Sequence, residues 1–236
     1  MKNYSWFQII LWFGLFTNFC FFICCLIFCR RENQPKYVKS FLLLSLLNLP
    51  VALLIISLGI TNIDSYKTIN PIAKIILGCF PLFNICFYYY TVFQIVKSHN
   101  AKRRTLAVLC IFLIVATITL GFAFISKHKG YIMSLSFLAC SLFGNIPIIT
   151  LCLTYFKDLF KNQSLPNLAH EASFWIVTGI LFYFTTEIIS NVFSIYFSSQ
   201  KSTQTAIAIY SVNFFSEVIE YILYVKAFTC QTNPSY

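Results

Sequence analysis

The chain has 236 residues, of which 58% are hydrophobic and only 10% charged, and its formal net charge is +10. A soluble domain carries roughly 25% charged residues, so this composition argues against a water-soluble fold and for one that meets lipid. With 27 Phe and 14 Tyr, aromatic side chains are set to pack in lipid and at its interfaces, where Tyr is favoured.

Apolar stretches of about twenty residues, the length needed to cross a hydrocarbon core as a helix, recur along the chain. In order they are Trp6–Phe28, Phe41–Ile60, Ile72–Val96, Thr105–Ile125, Tyr131–Phe156, Phe174–Phe197 and Thr205–Phe228. A backbone in lipid must satisfy its own hydrogen bonds. The expectation is therefore an all-α membrane protein, a seven-transmembrane-helix bundle forming one domain over residues 1–236. The first stretch follows Lys2 like a secretory signal, but it has no small-residue cleavage site before Cys29-Arg30-Arg31 and reads as a retained span. The longest connection, Lys157–Ser173, is too short for a folded soluble domain.

Basic residues in the short loops set the orientation. Eleven of the seventeen Lys and Arg fall on one side: Arg30, Arg31, Lys36, Lys39, Lys97, Lys102, Arg103, Arg104, Lys157, Lys161 and Lys226. That side is cytoplasmic, which places the N-terminus outside and the C-terminus inside a cell inner membrane crossed several times. The run Lys97–Arg104 is a positive-inside determinant, and no nucleic-acid partner is expected. The ten Cys lie in the spans or at their inner ends, and His99, His128 and His170 are scattered. No disulfide framework, metal centre or cofactor is implied.

Ionisable residues at bilayer depth are costly and usually face the bundle interior. There are three, Glu187 in the sixth span and Glu217 and Glu220 in the seventh. At 1.5 Å rise per residue, Glu187 and Glu217 lie at depths that differ by about 3 Å. Asn191 and Asn213 form a second matched pair slightly further out. On the seventh span Asn213, Glu217, Glu220 and Tyr224 make one stripe, and on the sixth Tyr183, Glu187, Ser190 and Asn191 share a face. No Lys or Arg stands at this depth, so the carboxyl groups must be protonated, hydrogen-bonded to Asn, Ser and Tyr, or bound to a cation. Interhelical hydrogen bonding, a ligand or cation site, and a proton relay are the three readings. Asn84, Tyr88, Tyr89, Tyr90 and Gln94 of the third span could complete a polar cavity, which makes Glu187, Asn191, Asn213, Glu217, Glu220 and Tyr88 the candidate site.

Pro50, Pro81 and Pro147 should kink their spans. Ser136, Cys140 and Gly144 form a small-residue stripe that permits close helix packing. No catalytic set, phosphate-binding glycine loop or metal cluster is present, and the chain is not expected to be an enzyme. The features of known seven-helix receptors are missing too: the last span has no central Lys for a retinal Schiff base, and the third ends Gln94-Ile95-Val96-Lys97, without the acidic-Arg-aromatic triplet of the rhodopsin-like receptors.

Other residues carry a better likeness. They are the basic first inner loop running into an aliphatic second span (Arg30–Leu54), and Asn84 before an aromatic run. Further on come Ser173-Phe174-Trp175-Ile176 with Gly179-Ile180-Leu181-Phe182-Tyr183-Phe184, and Asn213 ahead of Tyr221-Ile222-Leu223-Tyr224 and Ala227-Phe228. With these features, over nearly its whole length, the chain resembles a group of uncharacterised seven-helix integral membrane proteins common in Bacteroidetes bacteria. Members are often encoded near two-component signalling genes. The resemblance implies a sensory or accessory role, with the lipid bilayer and a membrane sensor kinase or other membrane protein as partners. It supplies no site residues. A receptor-like sensor or signalling accessory is the expected function. The alternative is a small solute transporter or proton-coupled carrier using the intramembrane carboxyl groups.

Overall fold

The structure, a computed structural model, describes residues 2–29, 36–60, 71–125, 129–161, 168–198 and 203–230. These residues form seven helices and no strand: α1 (Lys2–Cys29), α2 (Lys36–Ile60), α3 (Pro71–Ile95), α4 (His99–Ile125), α5 (Lys129–Lys161), α6 (Ala172–Ser198) and α7 (Thr203–Thr229). Each contains one of the expected spans nearly whole and most run past it. Hydropathy marks only the apolar middle of a helix, whereas the backbone ladder continues into polar flanks such as His99–Arg104 and Lys157–Lys161. The connection before α6 is accordingly shorter than expected, and a 3₁₀ turn at Leu168–His170 occupies part of it.

Among the described residues one stretch, Ala172–Phe193 (22 residues, mean hydropathy 1.5), is long and apolar enough to cross a membrane. Trp12–Phe28 and Lys39–Val51 are shorter apolar helical stretches.

Neighbouring helices pack side by side, and α1 closes on α7 while α3 reaches both α5 and α6. Pro50 and Pro147 lie inside continuous helices. At each, the carbonyl four residues back loses its amide donor, without ending the helix. Gly144 and Gly179 bring helices close. A Cβ on Gly144 would stand 2.6 Å from Ile85 Cδ1 and 2.8 Å from Phe112 Cζ, and one on Gly179 would stand 2.9 Å from Tyr224 Cε1. Gly144 therefore seats α5 against α3 and α4, and Gly179 seats α6 against the Tyr224 ring. Ser136 and Cys140, the other members of the expected stripe, lie outside the residues whose side chains are described.

The most completely buried side chains gather toward the end of the bundle where α2 and α6 begin. Phe41, Leu44, Val92, Leu151, Ile176, Ile180, Tyr224 and Phe228 have no exposed surface. Phe41 packs on Phe87, Tyr224 and Phe228 with ring centroids 5.6, 4.5 and 6.1 Å away. By contrast large apolar side chains face outward all round, among them Phe16, Ile27, Ile111, Ile114, Phe143, Phe215 and Ile222.

Candidate functional site

Glu217 and Glu220 stand three residues apart on α7 and are held by different partners. Asn18 of α1 donates from Nδ2 to Glu217 Oε1 at 3.2 Å and to the Gly14 carbonyl at 3.0 Å. The Tyr221 hydroxyl lies 2.7 Å from Glu217 Oε1 and 2.9 Å from Asn18 Oδ1, so its single proton is shared between two acceptors. Its ring stacks flat on Phe21, with centroids 4.3 Å apart and planes 3° from parallel. These contacts clasp α1 to α7.

Glu220 is 1% exposed and accepts a hydrogen bond from Tyr224 one turn further along α7. The Tyr88 hydroxyl of α3 stands within interaction range of the same carboxyl group. Tyr88 in turn stacks on Tyr183 of α6, with centroids 6.2 Å apart and planes 27° from parallel, and meets Phe184 edge-on at 5.1 Å. Glu187 accepts a hydrogen bond at 3.0 Å from Asn145 Nδ2 of α5. Tyr183 lies within electrostatic reach of Glu187 first, then of Glu220 and Glu217, and Glu220 lies within reach of the other two. Three carboxyl groups from two helices thus interact electrostatically with one tyrosine pair.

The structure therefore brings together four of the six candidates, Tyr88, Glu187, Glu217 and Glu220. Asn213 sits one turn before Glu217 on the same face, its Oδ1 buried without a partner and its carbonyl accepting from Ser216 Oγ at 2.7 Å. Asn191 is half-buried next to Ser190 on α6. The wider cavity drawn from α3 is corrected. Tyr89 turns to α4, where its hydroxyl lies 3.1 Å from Thr105 Oγ1 and 3.4 Å from the Lys102 carbonyl. Tyr90 and Gln94 face outward. At 100° per residue three consecutive tyrosines cannot share a face.

Two site residues went unrecognised in the sequence, Asn18 on α1 and Asn145 on α5. Each is an amide within an apolar stretch, and that is the available signal, because a polar group costs too much there unless a neighbouring helix pairs with it.

Among the described residues five buried oxygens lack a hydrogen-bond partner: Asn48 Oδ1, Asn84 Oδ1, Asn145 Oδ1, Ser190 Oγ and Asn213 Oδ1. Leaving such an atom unsatisfied costs about 1–3 kcal/mol. Three of them share an axial position. Asn84 precedes Tyr88, Asn213 precedes Glu217 and Ser190 follows Glu187, each by about one turn. Because α6 runs opposite to α3 and α7, all three lie on the same side of the carboxyl groups, away from the Phe41–Tyr224–Phe228 core. The site is polar toward one end of the bundle and closed by packed rings toward the other.

No protein-family model, curated protein or solved structure matches the chain. The function must be argued from these residues.

Proposed function

We propose that the chain is a seven-span inner-membrane protein with its N-terminus outside and its C-terminus cytoplasmic. It acts as a receptor-like sensor or signalling accessory whose ligand site is the carboxyl–tyrosine centre. Two features support the membrane placement. Large apolar side chains cover the outward faces of the helices, while Asn18, Asn145, Ser190, Ser216 and Glu220 are buried within. That is the inverse of a water-soluble surface and suits a bundle whose solvent is lipid. The basic residues add the orientation. The likeness to the Bacteroidetes seven-helix proteins is part of the same proposal.

One observation carries the receptor role, the one-sidedness of the site. The three carboxyl groups have unsatisfied polar atoms on the outer side and a floor of fully buried rings on the inner side. A ligand arriving from outside is stopped at that floor and bears on α6 and α7 through Glu187, Glu217 and Glu220. The signal leaves through the inner rim. There Lys97, His99, Arg103 and Arg104 are exposed, and the turn bearing them is pinned by Tyr89 and by Lys102 Nζ lying 4.7 Å from the centre of the Phe93 ring. A membrane sensor kinase is the partner class this rim would serve.

The carrier alternative draws on the same carboxyl groups, which have no basic residue at their depth. Flux in proteoliposomes separates the two readings. The receptor role requires that the reconstituted chain move no solute and that a sensor kinase co-purify with it. Charge reversal at Arg103 and Arg104 should lose the kinase. Solute or proton movement abolished by Glu217→Gln would refute the receptor role.

A further inference from the structure

Asn145 has no exposed surface and Ser190 is 3% exposed, yet each keeps an oxygen without a hydrogen-bond partner. Asn145 lies against Glu187, its Nδ2 3.0 Å from Oε2. A carboxylate only accepts hydrogen bonds, so the amide must turn its NH₂ to Glu187 and leave Oδ1 facing elsewhere. Ser190 stands one turn from Glu187 on the same face of α6, and Tyr183 one turn to the other side. Tyr183 and Tyr88 form a stacked aromatic wall. Around Glu187 there are thus an acidic group, one orphaned amide oxygen, one orphaned hydroxyl and two tyrosine rings.

That combination selects a ligand. The orphaned amide oxygen can only accept, so the ligand must supply N–H or O–H donors. The carboxyl group favours a positive charge, and ring faces attract cations. Among the described residues no three His, Cys, Asp or Glu side chains converge on a metal position, which disfavours a multivalent metal ion. A quaternary ammonium has the charge but no hydrogen to donate. A primary ammonium has three donors, a number that matches Glu187, Asn145 Oδ1 and Ser190 Oγ.

We propose that Glu187, Asn145 and Ser190 bind the primary ammonium group of a small organic amine, with its carbon chain against Tyr183 and Tyr88. This inference rests on the receptor reading and names the chemistry of its ligand.

The test uses the full chain in detergent micelles and follows its thermal unfolding midpoint. The probes are n-butylammonium and 2-phenylethylammonium, their N-trimethylated counterparts, and sodium chloride at matched ionic strength. At least one primary amine should raise the midpoint saturably, and its trimethylated counterpart should not. Ser190→Ala should weaken apparent affinity by about tenfold and Glu187→Gln by about a hundredfold, the scale of one and two charge-assisted hydrogen bonds. Circular dichroism confirms that Ser190→Ala, a loss of one oxygen, stays folded. Equal or better binding of the trimethylated compounds, or of sodium, in a Glu187-dependent way would overturn the ammonium assignment while leaving a cation receptor standing. A midpoint moved by none of the probes, or moved equally in the Ser190→Ala and Glu187→Gln variants, would assign the orphaned oxygens to buried water and overturn the inference. The receptor reading would still be decided by the flux experiment.

Discussion

The clasp between α1 and α7 can be measured as a coupling energy. Tyr221→Phe deletes only the hydroxyl, since the ring keeps its stacked contact 4.3 Å from Phe21. Asn18→Leu removes both the 3.2 Å bond to Glu217 and the acceptor 2.9 Å from Tyr221. Interhelical hydrogen bonds in membrane bundles are worth about 0.6 kcal/mol on average and up to about 1.7 kcal/mol. Each single variant should therefore lose about 1 kcal/mol. In the Asn18 variant the Tyr221 proton falls wholly to Glu217, which lies closer at 2.7 Å. The two losses consequently overlap, and the double variant should fall short of their sum by about 0.5–1 kcal/mol. Denaturant unfolding in mixed micelles, followed by circular dichroism, closes the cycle. Additivity within about 0.3 kcal/mol, the behaviour of independent sites, would refute a shared network and leave Asn18 and Tyr221 as separate packing residues.

Gly144→Ala and Gly121→Ala should have opposite signs in the same assay. The first forces Ile85 and Phe112 from contacts of 2.6 and 2.8 Å and should cost a net of about 1–2 kcal/mol, whereas the second meets nothing within 4 Å and should gain up to about 1 kcal/mol. Tyr89→Phe unties α3 from the start of α4 and should cost about 1 kcal/mol, with greater proteolytic cleavage at 97–104 as the readout. Where α2 begins, burial first, then the nearby Tyr155 and Glu171, push the Tyr37 hydroxyl up to about 12. The folded state thus keeps a proton that the unfolded chain releases near 10. Stability from this group should be full below about pH 10 and lost as pH rises toward 12. Phenolate absorbance lost in Tyr37→Phe checks the assignment.

The seven helices of the described residues were legible because apolar runs separated by charge are a one-dimensional signal. Helical rise converts position into height, so the levels of Glu187, Glu217 and Glu220 along α6 and α7 can be compared from sequence alone. Azimuth was legible only within one helix. The α7 stripe of Asn213, Glu217, Glu220 and Tyr224 held together, but which face of α3 meets it could not be read from α3 alone. Tyr88 and Tyr89 were therefore grouped, although they face different helices. Asn18 and Asn145 are not legible as site residues, because an amide in an apolar stretch announces a partner without saying where that partner is. Only the packing of α1 on α7 and of α5 on α6 supplies Glu217 and Glu187.

The same packing bears on the choice between receptor and carrier. Alternating access requires the two sides of a central site to open in turn, usually by rocking one half of an internally repeated bundle against the other. Opening the side where α2 and α6 begin would separate Phe41 from Tyr224 and Phe228, and Tyr224 also holds Glu220 and fills the space left by Gly179. Those rings tie α2, α6 and α7 together at the level a substrate would have to cross. No similarity between the first three and last three spans offers a hinge around them. A ligand that only tilts Glu220 and Tyr224 needs far less. Small shifts in a tightly packed core pass to whatever rests on it, and α6 and α7 carry this core to the inner rim.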